Sequence, residues 1–278
     1  MKVSKLKSPV KRPSYHVKPG SKVDLAEWPT DDTGPYENKE SAEADLKYQR
    51  ERIVALQERL WAEHRQSLLI VLQATDTGGK DGTIRHVFDG VNPQGCSVVS
   101  FKQPSPEELD HDFLWRIHAQ TPGKGVITVF NRSHYEDVLV VRVHETVSEK
   151  IWKARFGQIN AFEELLVANH TRVLKFFLHI SRDEQKERLQ SRLDDPEKRW
   201  KFNTSDLEDR KRWDDFQIAF ADAIEKCSTK DAPWHIIPSD HKWFRNVTIA
   251  KTVADTLEAM NPKFPEPENG LEHLVIPD

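Results

Sequence analysis

The sequence predicts an α/β fold in which a five-stranded parallel sheet carries helices on both faces. Two observations predict it: short apolar runs that suit buried strands, and amphipathic helical segments that separate those runs. The strand candidates are residues 67–74, 96–101, 125–130, 172–180 and 234–238. Because crossovers between parallel strands are right-handed, this alternation gives a doubly wound sheet.

Helical periodicity comes first along the chain, from residue 39 to about residue 66. Leu46, Ile53 and Leu60 recur at helical spacing with charged residues between them, which is typical of an amphipathic helix packed on a core. Residues 67–74 then form an apolar run that is too short for a buried helix and too uniform for a half-exposed strand. This run predicts a central strand, and the four later runs resemble it.

Helix caps mark two of the later helices. Ser105 is followed by Pro106 and by Glu108 at the third helical position, and Ser181 is followed by Glu184 at the same spacing. Both segments fit the Ser-x-x-Glu capping box, in which each side chain bonds the backbone N–H of the other residue. Each box therefore predicts a helix that begins shortly after a strand.

Length and composition restrict the class of protein. The chain has 278 residues with 41 Lys and Arg, 45 Asp and Glu, and a formal net charge of -4. This suits one large α/β domain, and the near-neutral charge argues against a dedicated nucleic-acid binder. The apolar runs fall well below the ~20 residues that cross a membrane, and two cysteines are too few for a disulfide scaffold. Because the amino terminus has no secretory pattern, we expect a cytoplasmic protein.

Composition divides the chain into three regions. Residues 1–38 comprise a basic arm, in which every charged residue up to residue 20 is Lys or Arg, and a turn-rich lead. A solvated arm is the simpler interpretation, and contact with a polyanion is the alternative. Residues 39–260 form the folded domain, and residues 261–278 form a Pro-rich tail.

The segment 74–83, ATDTGGKDGT, lies between the first strand and a helical pattern. It matches a Walker A pattern at its glycine and lysine, but Ala74 and Asp81 replace the first glycine and the hydroxyl residue of that pattern. Its glycines let backbone N–H groups turn toward an anion at a helix start, and Lys80 supplies a positive charge. The predicted phosphate-binding residues of this segment are Gly78, Gly79, Lys80, Gly82 and Thr83. An ordinary Gly-rich turn is the alternative.

Asp76 and Asp81 flank Lys80 in the same segment. Two carboxylates in a phosphate-binding loop repel the ligand unless a cation lies between them. Mg²⁺ prefers one or two carboxylates together with phosphate oxygens and water, so the pair predicts a magnesium site. Capping of the loop by the aspartates is the alternative.

Further candidates follow the second and third strands, because the carboxyl ends of parallel strands line the ligand crevice. Asn131 stands where a P-loop enzyme usually carries its Walker B acid, and Arg132 suits a bidentate phosphate contact. The predicted nucleotide-binding residues are Lys102, Asp112, Arg116, Asn131, Glu136 and Asp137. For the last two, a solvated helix start is the alternative.

The segment 182–216, which we call the lid, follows the fourth strand. Its first 31 residues hold ten basic and nine acidic side chains, and Pro196 divides them into two arms. Arg188 and Arg192 are four apart and share a helix face, so the pattern favours a helical hairpin that brings cations over a phosphate site. A salt-bridged surface hairpin without a ligand is the alternative.

Four motifs together make the chain similar to the polyphosphate kinase 2 family of polyphosphate:nucleotide phosphotransferases, over about residues 15–265. They are TDTGGKDGTIRHV (75–87), VNPQGCSVVSFKQPSPEELDHDFLWR (91–116), VFNRSHYEDVLVVRVH (129–144) and RLDDPEKRWKFNTSDLEDRKRWDDF (192–216). The resemblance implies a three-layer, P-loop kinase-like core with a helical lid. It also implies reversible transfer of the terminal phosphoryl group of inorganic polyphosphate to the purine nucleotides AMP, ADP, GMP and GDP. Mg²⁺ or Mn²⁺ would be the cofactor, and the enzyme a homodimer or homotetramer.

The resemblance also implies roles for single residues. Asp76, Lys80 and Arg132 are the predicted catalytic residues, and Asp76 and Asp81 are the predicted metal ligands. The lid residues that the resemblance assigns to polyphosphate are Arg188, Arg192, Lys198 and Lys201. FNRS at 130–133, where much of the family has FDRS, indicates the subgroup that phosphorylates both mono- and diphosphates, and it counts against a Walker B carboxylate as the principal metal ligand.

Two other functions remain open at this point. One is an ATP-dependent nucleoside monophosphate kinase, which shares this fold and a lid. The other is a non-catalytic nucleotide-binding regulator, because the Walker A hydroxyl residue and the Walker B acid are both replaced.

Overall fold

A parallel sheet forms the centre of the protein in a computed structural model, which describes residues 15–271 and 274–277. Its strands are β1 Ser67–Gln73, β2 Cys96–Ser100, β3 Ile127–Asn131, β4 Thr171–His179 and β5 Trp234–Pro238. Their order is β2-β3-β1-β4-β5, and every adjacent pair is parallel. The five predicted strands are confirmed, each within two residues of its predicted ends.

Helices connect the strands in the order that the sequence predicts. Those of the described residues are α1 Lys39–Glu63, α2 Lys80–Val87, α3 Pro106–Leu109, α4 Trp115–His118, α5 Glu136–Val143, α6 Glu149–Ala168, α7 Arg182–Asp194, α8 Ser205–Lys211, α9 Trp213–Cys227 and α10 Lys242–Met260. None of the helices found within residues 15–271 is long and apolar enough to span a membrane.

Alternate residues of β1 face two separate apolar clusters. Leu68 and Ile70 pack with α1, α2 and α10 in one cluster, whereas Leu69 and Val71 pack with α5, α6 and α9 in the other. Every residue of β1 is buried, as the uniform apolar run predicts. Helices thus cover both faces of the sheet, which confirms the predicted three-layer α/β fold.

The strand β2 differs from its prediction because it lies at the edge of the sheet. Its apolar run resembles that of a buried central strand, yet Ser97, Val98 and Ser100 are exposed. Val98 keeps 49% of its surface accessible. Position in the sheet, which composition does not reveal, decides how far this strand is buried.

The two predicted capping boxes have different outcomes. At α3 the box is complete, because the Ser105 and Glu108 side chains each accept from the other residue's backbone N–H. At α7 the Ser181 side chain accepts from Glu184 N (3.1 Å), but Ser181 N donates to Asp240 Oδ1 (2.8 Å) instead. The Glu184 carboxylate accepts from Arg188 Nε (2.6 Å), so tertiary contacts replace half of the predicted box.

The lead into α1 belongs to the folded unit. Val17 N donates to Trp234 O (2.8 Å) and Ile236 N donates to Tyr15 O (2.9 Å), and both Tyr15 and Val17 are buried. The folded unit therefore begins before residue 39, where the sequence places its start. Most of the predicted basic arm, residues 1–14, lies outside the described residues.

Candidate active site

The loop between β1 and α2, residues 74–79, has the backbone of an anion-binding loop; we call it the phosphate loop. Thr77 (φ 62°) and Gly79 (φ 100°) are left-handed, and Gly79 directly precedes α2. A Cβ at Gly78 would lie 2.4 Å from the Ala74 Cβ, and one at Gly79 would lie 1.9 Å from Arg245 Nη1. Glycine is therefore required at both positions, and the N–H groups that begin α2 are available to an anion.

Gly82 and Thr83, also predicted to bind phosphate, lie inside α2 rather than in the turn. A Cβ at Gly82 would meet Arg245 Nη2 at 3.4 Å, an ordinary contact, so the backbone does not require glycine there, contrary to the sequence argument. The hydroxyls of Thr75, Thr77 and Thr83 are buried and have no hydrogen-bond partner among the described residues. Orphaned hydroxyls in and beside one loop are expected where a polar ligand binds.

Two arginines and a glutamine hold the phosphate loop from outside. Arg188 Nη1 donates to Thr77 O (3.0 Å), and Arg245 Nη1 donates to Gly78 O (3.3 Å). Gln185 Nε2 donates to Asp76 O (3.2 Å). Because these three consecutive carbonyls are engaged by side chains from α7 and α10, the loop backbone is fixed in its anion-binding shape.

Lys80 is the first residue of α2 and bends back over the phosphate loop. Its Nζ donates to Ala74 O (3.2 Å). Burial, and next the Arg132 charge, lower the pKa of its ammonium group to about 8, against the opposing effect of three nearby carboxylates. Binding an anionic phosphate would favour the charged form, so Lys80 suits the role that the sequence predicts.

Arg132 lies at the carboxyl end of β3 in a left-handed conformation (φ 63°). Its Nη2 donates to Asp76 Oδ1 (2.8 Å) and its Nη1 donates to Glu136 Oε2 (3.0 Å). Glu136, and then Asp76, raise the pKa of the guanidinium group although burial opposes them. The structure thus brings the predicted catalytic residues Asp76, Lys80 and Arg132 together.

Asn131 pairs with Asp81, which lies in the first turn of α2. Its Nδ2 donates to Asp81 Oδ1 (2.7 Å), across the gap between β3 and α2. An aspartate in its place would set two like charges against each other, so asparagine at this position complements Asp81. The Walker B departure that the sequence shows therefore has a local electrostatic reason.

A buried polar network supports the segment that follows Arg132. Lys175 of β4 is fully buried, and its Nζ donates to Glu163 Oε2 (2.5 Å), Tyr135 Oη (2.9 Å) and Cys227 O (2.6 Å). Glu163 Oε1 accepts from Tyr135 Oη (2.8 Å) and lies 3.3 Å from His134 Nε2. Because this network joins β4 and α6 to the β3–α5 segment, it fixes the direction in which Arg132 leaves the sheet.

A second group of predicted nucleotide-binding residues lies on the segment that follows β2 and at the start of α5. Arg116 is buried, and its Nη1 donates to Lys102 O (2.9 Å), so it holds the segment after β2. Asp137 pairs with Arg155 Nη1 (3.2 Å), and burial raises the pKa of its carboxyl group to about 6. Asp112 accepts from Leu114 N (2.9 Å) and so closes a local turn. The remaining two, Asn131 and Glu136, belong to the cluster around the phosphate loop.

The predicted lid forms two helical arms that part at Pro196, where α7 has ended. Its four predicted phosphate-binding cations are Arg188, Arg192, Lys198 and Lys201. Arg188 donates to a carbonyl of the phosphate loop, and Arg192 Nη1 lies 3.7 Å from Asp206 Oδ2. Lys198 and Lys201 are exposed, and Lys198 Nζ lies 2.5 Å from Asp195 Oδ2. Contact of these side chains with polyphosphate stays a prediction.

The second arm of the lid brings groups that the sequence argument did not assign. Burial, and next the charge of Asp76, raise the pKa of the Asp206 carboxyl group to about 6 and also raise that of Asp209. Trp213 and Phe216 line a narrow pocket together with Asp76 and other residues of the phosphate loop and α5. The WDDF motif at 213–216 holds both aromatic residues, but only the tertiary contact shows that they face the loop.

The aspartates of the phosphate loop region fit a divalent metal that arrives with phosphate. Asp76 and Asp81 each accept a hydrogen bond through Oδ1. Within residues 15–271 and 274–277, no group of three or more His, Cys, Asp or Glu side chains is arranged to hold a metal by itself. Mg²⁺ needs only one or two carboxylates when phosphate oxygens and water complete its shell, so these two residues suit it.

Comparison with known proteins gives one consistent result. Residues 36–265 match the family model described as Polyphosphate kinase 2. The chain is 50% identical to an AMP/ADP-polyphosphate phosphotransferase of Meiothermus ruber, over 94% of this chain and 98% of that one. It is 44% identical to an ADP-polyphosphate phosphotransferase of Rhodopseudomonas palustris, over 92% and 93%. A crystal structure of polyphosphate kinase 2 from Arthrobacter aurescens superposes with a TM-score of 0.90 at 40% identity, covering 93% of each chain.

Proposed function

This chain belongs to the polyphosphate kinase 2 family, and we propose that it transfers the terminal phosphoryl group of inorganic polyphosphate to AMP and ADP, and also to GMP and GDP, reversibly. The names of its relatives support polyphosphate as donor and adenine nucleotides as acceptors. The observation that carries the proposal is the convergence of Lys80 and Arg132 on the phosphate loop, with Asp76 inside the loop and Asp81 just after it. A kinase, rather than a regulator, is what these side chains and relatives support.

The residue types suit this reaction because its nucleophile needs little activation. An oxygen of the nucleotide phosphate, already ionised at neutral pH, attacks the terminal phosphorus of polyphosphate. The P–O bond to the rest of the chain breaks, and the shortened chain keeps the electron pair. Positioning and charge neutralisation therefore dominate catalysis, which is the work of Lys80, Arg132 and the N–H groups that begin α2.

The reaction needs a divalent metal, and we assign Mg²⁺, or Mn²⁺, to Asp76 and Asp81. The metal would neutralise charge on the phosphates. Arg132 donates to Asp76, so the arginine fixes the orientation of that carboxylate. Asn131 does the same for Asp81 without adding negative charge.

For the acceptor nucleotide we assign two groups of residues. Asn131 and Glu136, which bond Asp81 and Arg132, would lie beside the transferred phosphate. The other group lies on the segments after β2 and β3 and comprises Lys102, Asp112, Arg116 and Asp137. The pocket that Trp213 and Phe216 line has a volume of only about 30 Å³, too small for a nucleotide base, so a base would enter it only if the lid moved. We further propose a cytoplasmic homodimer or homotetramer, with the arm at residues 1–20 as a guide for polyphosphate.

A luminescence assay for ATP tests the proposal directly. Purified protein is mixed with ADP, Mg²⁺ and polyphosphate, and we expect ATP to form. In a second mixture AMP replaces ADP and no ATP is added, and we expect ADP and then ATP. Product only when ATP is supplied would instead identify an ATP-dependent monophosphate kinase, and no product in any mixture would refute the proposal.

A further inference from the structure

The last residue of β1 is a buried polar side chain on a face that is otherwise apolar. Gln73 follows Leu69 and Val71 on the face of β1 that packs against α5, α6 and α9, and it is fully buried. Its Oε1 has no hydrogen-bond partner among the described residues. A buried acceptor without a partner destabilises the folded state, and an apolar side chain would avoid that cost. Packing of the core therefore does not account for glutamine at this position.

The side-chain amide of Gln73 reaches the segment that follows β3. Its Nε2 donates to Ser133 Oγ (3.2 Å), and the same oxygen accepts from Tyr135 N (3.2 Å). All three residues are fully buried, so water does not compete for these bonds. The Gln73–Ser133 bond thus joins the residue directly before the phosphate loop to the residue directly after Arg132.

This bond lies just past the last backbone contacts between β1 and β3. The register of the two strands ends with Leu72 opposite Asn131, and Arg132 N donates to Leu72 O (3.1 Å). Beyond that point one chain enters the phosphate loop, and the other turns toward α5 through the left-handed Arg132. The ion pair between Asp76 and Arg132 (2.8 Å) spans the gap between them. The buried bond is therefore placed to set the spacing across which that ion pair forms.

We propose that Gln73 and Ser133 are positioning residues, which hold Asp76 and Arg132 at the spacing that phosphoryl transfer requires. The inference rests on the proposed function and adds to it two residues that act through their neighbours. Because both side chains are fully buried, they influence the reaction without contact with a substrate. A small displacement of groups that must align with the transferred phosphate lowers turnover strongly, even where those groups still bind it.

The test compares Gln73→Leu with Ser67→Ala. Ser67 lies at the other end of β1, where its buried Oγ lies 3.0 Å from Thr171 Oγ1. This control therefore removes a buried hydrogen bond of the same strand at the edge of the sheet opposite the phosphate loop. For each variant, kcat, KM for ADP and KM for polyphosphate are measured with Mg²⁺, and Tm is measured on the same preparation.

For Gln73→Leu we expect kcat to fall about tenfold and both KM values to stay within about twofold of the wild type. Its Tm should be unchanged or higher, because the variant removes an unpartnered acceptor. For Ser67→Ala we expect wild-type kcat and KM values and a Tm lower by about 2–4 °C. A kcat of Gln73→Leu within about twofold of the wild type, or an equal fall in kcat for Ser67→Ala, would overturn the inference.

Ser133→Ala approaches the same bond from its other end, and it decides the question if Gln73→Leu folds poorly. Its kcat should fall by at least as much, and adding Gln73→Leu should lower kcat no further, since both residues act through one bond. Losses that multiply in the double variant would overturn the inference.

If the wild-type protein forms no ATP from polyphosphate, the proposed function fails instead, and crystal structures then decide the positioning role. The distance of 2.8 Å between Arg132 Nη2 and Asp76 Oδ1 should be lost in Gln73→Leu and kept in Ser67→Ala. A distance that is kept in both variants would overturn the inference.

Discussion

Replacing Asn131 by aspartate tests how the negative charge of Asp81 is stabilised in the proposed metal site. The Asn131 amide donates to Asp81 Oδ1 at 2.7 Å, so Asn131→Asp exchanges a hydrogen bond for a pair of like charges. We expect the variant to be less stable than the wild type without metal and to gain more stability from Mg²⁺. The gain follows because the added carboxylate would offer a divalent ion a further oxygen ligand beside Asp81.

The size of the effect follows from the geometry. Two like charges about 4 Å apart repel by about 1 kcal/mol in water-like surroundings, and that value applies because Asp81 is exposed. The lost hydrogen bond contributes about 1 kcal/mol more. The free energy of unfolding should therefore fall by about 2 kcal/mol, which lowers Tm by about 4–8 °C in a chain of this size.

Thermal unfolding in EDTA and in Mg²⁺ is the assay. Asn131→Ala is one control, because it removes the hydrogen bond and adds no charge, so its Tm should fall by about half as much and respond to Mg²⁺ as the wild type does. Asn131→Asp combined with Asp81→Asn is the other, since it restores one charge and one amide. The reasoning fails if this double variant is no more stable in EDTA than Asn131→Asp, or if Mg²⁺ stabilises Asn131→Asp no more than the wild type.

Three further predictions concern single groups. Lys80→Ala should lower kcat more than about tenfold at an unchanged Tm, because it removes a cation beside the transferred phosphate; near-normal turnover would contradict that role. Asp206→Asn should raise the free energy of unfolding above pH 6 but not below pH 4. The pKa of Asp206 rises from 3.8 to about 6 on folding, so the folded state binds the proton more tightly than the unfolded state does. The stability of the wild type therefore falls as pH rises through that window. A gain in the stability of Asp206→Asn that is the same at pH 4 and pH 7 would refute this. Lys175→Met should cost about 3–5 kcal/mol in urea unfolding by leaving Glu163 buried and uncompensated, and adding Glu163→Leu should recover most of it; additive losses in the double variant would show that the pair is not coupled.

The local sequence pattern predicts where the strands of this protein lie better than it predicts how deeply each strand is buried. The run that becomes β1 is apolar at nearly every position, and a strand buried on both faces needs that composition. The run that becomes β2 looks similar, yet Val98 is half exposed because no strand lies beyond it in the described sheet. Strand order depends on contacts between distant segments, which short apolar runs do not encode.

The site shows the same division between local and distant information. Gly79 and Lys80 are recognisable because spacing within one loop determines their role. Arg245 lies 166 residues beyond Gly79, near the start of α10, where the sequence carries no recognisable motif. Only the fold therefore reveals that its guanidinium group packs against that glycine. Ser181 lies between these cases: its side chain caps α7 as predicted, but Asp240 takes the backbone N–H that the motif assigns to Glu184.

The charges around the phosphate loop divide it into two sides of opposite sign. On the β3 side, Arg132 meets two carboxylates and Asp81 adds a third, so this side is negative and favours phosphates that arrive with a metal ion. On the α10 side, Arg188, Lys242 and Arg245 outnumber the nearby Glu184, so this side favours phosphates without metal. Under the proposed function, a linear polyanion that reacts at one end would satisfy both sides at once, with its reacting end beside the aspartates and the rest of its chain beside the cations. A net charge of -4 is therefore compatible with a polyanionic substrate, since Asp76 and Glu136, which lower it near the site, are both paired with Arg132.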